Sequence, residues 1–206
     1  SLADQPNGLA AAWDGTNYVI VFGRPISNRW QLSQARVGVD LTLHDGLAGA
    51  IVDNSNGSGG HPSIACGSGV CVACYLHSQG SDGDAYAVRL AGSVASAPLV
   101  LANATNVYER PFLATFNGND FACAWSEPGG PRLARISASG AIVDQPTLPN
   151  ELTRDGDFRS AAGALGTTLI ASQTMFGAVP AAPAAPLAAV PFMTRANRLW
   201  GPKLSV

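Results

Sequence analysis

Apolar and polar positions along this chain come in blocks. A short apolar run, a Gly-centred turn and a second apolar or aromatic run occur together four times: AAAWDGTNYVIVF from Ala10, IACGSGVCVACYL from Ile64, LATFNGNDFACAW from Leu113 and AAGALGTTLIASQ from Ala161. Two apolar runs hinged on such a turn predict a β-hairpin. The turn glycines Gly15, Gly69, Gly118 and Gly166 recur at intervals of 54, 49 and 48 residues. Periods of that length point to propeller blades of four strands each.

Each hairpin is followed by a polar turn and a third run: LSQARVGV from Leu32, AYAVRLAG from Ala85, RLARISAS from Arg132 and LAAVPFMT from Leu187. A fourth run follows in AGAIVDN from Ala48, SAPLVLA from Ser96, GAIVDQP from Gly140 and NRLWGPK from Asn197. Four runs joined by tight turns make a meander sheet. Radially arranged sheets bury both faces, so their strands read as continuously apolar instead of strictly alternating. The expected fold is all-β: a propeller of four four-stranded repeats, at about 7–54, 61–102, 110–146 and 158–202, forming one domain over 1–206.

Ser1–Pro6 (SLADQP) echoes Ala141–Pro146 (AIVDQP), the fourth run of the third repeat, so 1–6 is a surplus outer strand. It either closes the ring by completing the last blade, displacing Asn197–Val206, or marks a piece of a larger array completed by another chain. Both readings are expectations; the second calls for a homo-oligomer or a partner chain.

The phrase WDGTNYVIVF (Trp13–Phe22) followed by QARV (Gln34–Val37) resembles the repeat of large secreted bacterial β-propeller proteins, often myxobacterial, which carry A-x-D-G-T-N-Y-L-V-V-W and then a short R-V strand. Degenerate copies span essentially the whole chain. The first matches closely, and the last lacks the aromatic and the polar turn residue. Kelch and WD signatures are absent, as is the S-x-D-x-G-x-x-W box of sialidases. The resemblance implies a propeller fold and a secreted location, and it carries over no catalytic residue.

Charge narrows the partners. A net charge of −2 and a pI near 5.8 leave no basic footprint for nucleic acid or an anionic membrane surface. No apolar stretch reaches the ~18 residues of a membrane span. The most apolar one, Ala178–Phe192, is broken by Pro180, Pro183, Pro186 and Pro191 and reads as an extended loop. Ser1 opens the sequence without the charged and apolar regions of a signal peptide. One Lys against eleven Arg, with abundant Gly, Ala and Pro, suggests a bacterial high-GC source.

Cys66 and Cys71 flank the turn Gly67–Val70, where cross-strand neighbours come close enough for a hairpin-locking disulfide, and with it an oxidising compartment. Aligned on the turn glycines, their counterparts are Ala12 and Asn17, and Thr115 and Asp120. Cys74 and Cys123 fall in the same slot of neighbouring repeats, where Ile20 and Ala171 stand in the others. With facing sheets ~10 Å apart, these two are expected to be free, buried thiols.

In a propeller, loops entering the first strands gather at one channel mouth. The alignment puts Asn7, His61, Arg110 and Phe158 there, with Glu109 beside Arg110 and Asp157 and Arg159 beside Phe158. These residues are either a solvated loop set or a ligand-reading rim. As a rim, His61, Arg110 and Arg159 suit a carboxylate or sulfate, on an acidic polysaccharide or a protein. As an enzyme, the chain would use Glu109 and Asp157 as the paired carboxylates of glycosidic cleavage. Weaker features are Asp53–Gly57 and Asp82–Asp84, both read as turns, and His44 and His77, both read as solvated. Trp13, Trp30, Trp125 and Trp200 read as core or edge packing, with Trp30 a possible exposed platform. No metal or cofactor is expected. The favoured function is a non-enzymatic recognition or adhesion module for a carbohydrate or protein ligand; the alternatives are a carbohydrate-active hydrolase or lyase, and a structural piece of a larger assembly.

Overall fold

The computed structural model describes residues 8–27, 29–54, 58–79, 82–103, 112–127, 130–146, 148, 158–162, 168–172, 175–179 and 190–191, the last four segments through their backbone alone. All of their regular structure is antiparallel β, in four sheets. Sheet I contains β1 (Leu9–Trp13), β2 (Asn17–Ile26), β3 (Arg29–Gly38) and β4 (Ala50–Asp53) in sequence order. Sheet II contains β5 (Ser58–Gly67), β6 (Val70–Gln79), β7 (Asp82–Ala91) and β8 (Val94–Ala95), with β9 (Leu99–Ala102) also paired to β7. Sheet III contains β10 (Leu113–Phe116), β11 (Asp120–Glu127), β12 (Gly130–Ser137) and β13 (Ile142–Asp144). Sheet IV contains β14 (Phe158–Ala162), β15 (Thr168–Ser172), β16 (Met175–Val179) and β17 (Val190–Pro191). The first strands pack side by side in chain order, β1 on β5, β5 on β10 and β10 on β14.

The third strand of sheet IV is β16, upstream of the run expected from Leu187. Gln173-Thr174 separates it from β15 without the glycine or Asx that announces the other turns. Strand β17 lies inside the expected third run and is the fourth strand.

Sheet II is apolar on both faces because each face meets a neighbour. Along β6, Val70, Val72, Cys74 and Leu76 join Phe121, Cys123 and Trp125 of sheet III in one core. The alternate residues Cys71, Ala73 and Tyr75 join Val19, Val21 and Leu32 of sheet I in another. Period-2 geometry thus divides one strand between two cores.

The hairpin turns at one end of the sheets are locked in two ways. In sheet I, Asp14 Oδ1 accepts the N–H groups of Thr16 (2.8 Å) and Asn17 (2.7 Å). In sheet III, Asn117 Oδ1 does the same for Asn119 (3.0 Å) and Asp120 (2.8 Å). These are Asx turns, with Gly15 and Gly118 supplying the positive φ. Sheet II instead turns on Ser68 (φ 51°) and Gly69 (φ 75°), the two left-handed residues of a type I′ hairpin, with Gly67 in the Asx position. A Cβ on Gly67 would fall within the ring of Phe116 from sheet III. Gly67→Ala is therefore expected to cost about 1–3 kcal/mol of overpacking, read as a lower urea midpoint at unchanged slope.

The turn geometry also corrects the alignment of the repeats. The pair flanking the turn is Trp13 with Tyr18, Cys66 with Cys71, and Phe116 with Phe121. Cys66 and Cys71 are disulfide-bonded with Cα atoms 4.0 Å apart. Their counterparts are therefore aromatic pairs, with ring centroids 5.0 Å apart for Trp13 and Tyr18 and 4.8 Å for Phe116 and Phe121, rather than Ala12 with Asn17 or Thr115 with Asp120. Matching Gly69 to Gly15 and Gly118 slips sheet II by one residue, because its glycine is the second central residue of the turn.

A one-residue slip turns every side chain to the opposite face. Cys74 and Cys123 consequently do not share a slot. They point at each other across the junction of sheets II and III and are disulfide-bonded, with Cα atoms 6.0 Å apart. The expectation of two free thiols fails because the sheets converge here well inside the usual ~10 Å face-to-face spacing. Ser63 Oγ accepts Ala114 N–H at 2.9 Å across the same junction.

The repeated arginine of the third strand has the same task in two of the three sheets. Arg36, Arg89 and Arg135 pair with Val19, Val72 and Ala122, the same level of three sheets. Arg36 holds Asp45 through two nitrogens, which lowers the Asp45 pKa and raises that of Arg36. Arg135 holds Asp144 in the same manner. Sheet II has Pro98 at the matching position, and Arg89 donates instead to Ala138 O of sheet III at 2.7 Å.

Candidate functional site

The end opposite the β1–β2, β5–β6 and β10–β11 turns, called the rim here, is where first and third strands begin and second and fourth strands finish. Its polar side chains are concentrated at the junctions between sheets.

Of the residues expected to form the site, Asn7, Glu109, Arg110 and Asp157 lie outside the described residues. Phe158 and Arg159 open β14, where their backbones pair with Ser172 and Ala171; their side chains are also outside the described set. His61 is half-buried within β5. Gly60 pairs with Leu76 and Ser63 with Cys74, so His61 and Pro62 together oppose Tyr75 in a β-bulge. His61 adopts φ 49°, a left-handed conformation uncommon outside glycine. A Cβ on Gly8 would lie 3.0 Å from the His61 Cα, which places the starts of sheets I and II side by side.

The junction of sheets I and II holds a buried polar group that the sequence reading did not assemble. Tyr75 is fully buried and donates its hydroxyl to Asp53 Oδ2 at 2.7 Å. His77 stacks on Tyr86 at 4.4 Å and lies across the ladder from Asp84. Burial raises the Tyr75 pKa far above the usual phenol range, and Asp53 adds to the shift; Tyr86 is raised by burial first, then by Asp84 and Asp53. Both phenols therefore remain protonated donors.

Three expectations change here. His77 is buried within β6 instead of solvated in a turn, Asp84 is a buried residue of β7, and Asp53 is a buried residue of β4. The β6–β7 hairpin runs further than expected, to Gln79 and from Asp82, because Tyr75–Tyr86 and His77–Asp84 continue its ladder. The missed signal was the alternation Cys71, Ala73, Tyr75, His77, which puts all four on one face.

On the outer part of sheet I, Arg24 Nη2 donates to Gln31 Oε1 (2.8 Å), and Gln31 Nε2 donates to Asn54 Oδ1 (2.9 Å). At the junction of sheets II and III, a cavity of about 220 Å³ opens beside Trp125, Glu127, Arg132 and Gln145, with Leu101, Leu133 and Pro146 in its wall. Trp125 is almost wholly buried and Trp30 half-buried, so neither offers an open ring face. The rim carboxylates Asp53 and Glu127 accept hydrogen bonds from Tyr75, and from Trp125 and Arg132, respectively.

No protein-family model matches the chain, and none of the curated proteins does. Among solved structures the chain is similar to Zg3597, a family 117 glycoside hydrolase produced by the marine bacterium Zobellia galactanivorans, with 9% identity and a TM-score of 0.52. The match covers 84% of this chain and 65% of that one, so this chain spans less than two thirds of its neighbour's length. Likeness at this identity establishes a related all-β arrangement of sheets and transfers no residue.

Proposed function

We propose that this chain is a secreted recognition module of propeller architecture that takes a carbohydrate at the rim. The observation that carries the reading is the gathering of Tyr, His, Trp, Arg, Gln and carboxylate side chains at the junctions between sheets toward one end. Clustered planar polar groups that both donate and accept hydrogen bonds suit sugars, whose hydroxyls do the same. The likeness to a protein named as a glycoside hydrolase supports the carbohydrate class. Two disulfides suit an extracellular or periplasmic setting, as does the resemblance to secreted bacterial repeats. A binding role is favoured over catalysis because Asp53 and Glu127 serve as hydrogen-bond acceptors for neighbouring side chains. The hydrolase alternative rests on Glu109 and Asp157.

The test is chromatography of the folded chain on immobilised neutral and acidic polysaccharides, with reducing ends assayed in parallel. Retention without new reducing ends is expected. Release of reducing ends would replace binding by hydrolysis, and passage through every column would overturn the carbohydrate reading.

The ring itself has a separate test. The face of sheet I turned away from sheet II exposes Leu9, Trp13, Tyr18 and Ile51. A closed four-blade ring covers this face with sheet IV of the same chain. Light scattering across a concentration series is then expected to give a monomer of 21.1 kDa. A dimer would assign the covering surface to a second copy.

A further inference from the structure

We infer that the cavity between sheets II and III is a subsite for a single neutral pyranose residue of the glycan taken at the rim, an inference that rests on the carbohydrate reading above. Size sets the first limit. At about 220 Å³ the cavity is smaller than the roughly 300–1,000 Å³ of pockets for larger ligands. It accommodates one ring-sized unit.

Charge sets the second limit. Glu127 Oε1 accepts the Trp125 indole N–H at 2.8 Å, and Oε2 accepts Arg132 Nε–H at 2.9 Å. These bonds occupy about two of the carboxylate's four acceptor directions. Arg132 uses its Nε edge on Glu127, and its two Nη groups make no hydrogen bond to any described residue. Its side chain is 41% exposed against 10% for Glu127, so the guanidinium faces outward over a largely covered carboxylate. The pair is neutral overall and presents donors and acceptors together.

That combination discriminates between ligand classes. A uronate or sulfate would meet the Arg132 fork but also the charge of Glu127, losing much of its attraction. A sugar hydroxyl both donates and accepts, so adjacent hydroxyls can accept from Arg132 Nη–H and donate to Glu127. Gln145 holds its carboxamide in place by donating Nε2–H to Leu101 O at 3.0 Å, which leaves Oε1 with no hydrogen bond to a described residue. Half-buried Pro146 edges the cavity, while Leu101 and Leu133 lie beneath it almost wholly covered, so its open lining is mainly polar.

The experiment is an NMR titration of the folded, ¹⁵N-labelled chain with methyl glucoside, methyl galactoside, methyl mannoside and methyl glucuronide. The Trp125 indole N–H, which donates to Glu127, is the reporter. At least one neutral glycoside is expected to move it with a Kd on the order of 1 mM, the weak binding of one small unit. Arg132→Gln and Glu127→Gln should each weaken that binding roughly tenfold or more through loss of a charged hydrogen-bond partner. Gln145→Ala, at an exposed side chain, should weaken it less and keep the dispersed amide spectrum of the folded chain, separating ligand contact from folding.

Binding by the glucuronide alone, dependent on Arg132, would overturn the neutral class. Retention on a glycan column with a stationary Trp125 signal and unaffected variants would overturn the subsite while the rim reading stands. Failure of every glycoside and every column would overturn both.

Discussion

Replacing Cys74 and Cys123 together by alanine is expected to lower the stability of the oxidised protein by about 4 kcal/mol, against about 2 kcal/mol for the Cys66 and Cys71 pair. The ordering follows from the unfolded chain. The first bond closes a sequence separation of 49 residues and the second only 5, and a longer loop forfeits more freedom when closed. Alanine is the appropriate substitute because Cys74 and Cys123 are fully buried, and a serine hydroxyl would add an unpaired polar group. Urea melts of the two double variants, without reductant, make the comparison. Similar losses, or a larger one for the hairpin pair, would defeat the argument from loop length. Against a typical total of about 5–15 kcal/mol, the intersheet variant should sit near the limit of folding.

Asp144→Ala is expected to cost about 1.5–3 kcal/mol, the loss of a charge-assisted, bidentate partner. Arg135 is 1% exposed, and Asp144 takes its Nε and Nη2 hydrogens. That contact is the foremost reason the Arg135 pKa is raised, so the guanidinium stays charged and cannot relieve the loss by deprotonating. A double variant, Arg135→Met with Asp144→Leu, should recover most of the stability, since apolar groups of similar volume need no counter-charge. Thermal melts of the single and double variants decide it. A near-neutral Asp144→Ala would mean that Arg135 draws its stabilisation from elsewhere.

The strand plan was legible because most turns contain a residue that permits only a few conformations: Gly15 and Gly118 beside an Asx acceptor, Gly69 in a type I′ pair. Facing was less legible. Glycine is the first of the two central residues in sheets I and III and the second in sheet II, so aligning glycines displaced one sheet by a residue. The cross-strand pair Trp13–Tyr18, Cys66–Cys71, Phe116–Phe121 is the true landmark, hidden because a disulfide stands where the others have rings. That single displacement turned a covalent bond between Cys74 and Cys123 into two expected thiols. The arginine of the third strand, by contrast, was already present in the repeat phrase QARV, and only its partner nine residues on in two of the three sheets required the fold.

At the rim, reading loops for chemistry found His61 but passed over Tyr75 and His77, because polar residues at a strand end resemble turn residues until their face is known. Arg132 and Glu127 were similarly invisible as a pair: Arg132 lies across the ladder from Trp125 and reaches Glu127 diagonally, in a hairpin whose strands were read correctly but whose side chains were not followed outward.

The bond between Cys74 and Cys123 also makes the connection between sheets II and III redundant. A protease that cuts once anywhere between those two residues divides the backbone but not the molecule, since the two pieces remain tied through sulfur. The nicked protein would migrate as one species until a reductant is added, and then as two.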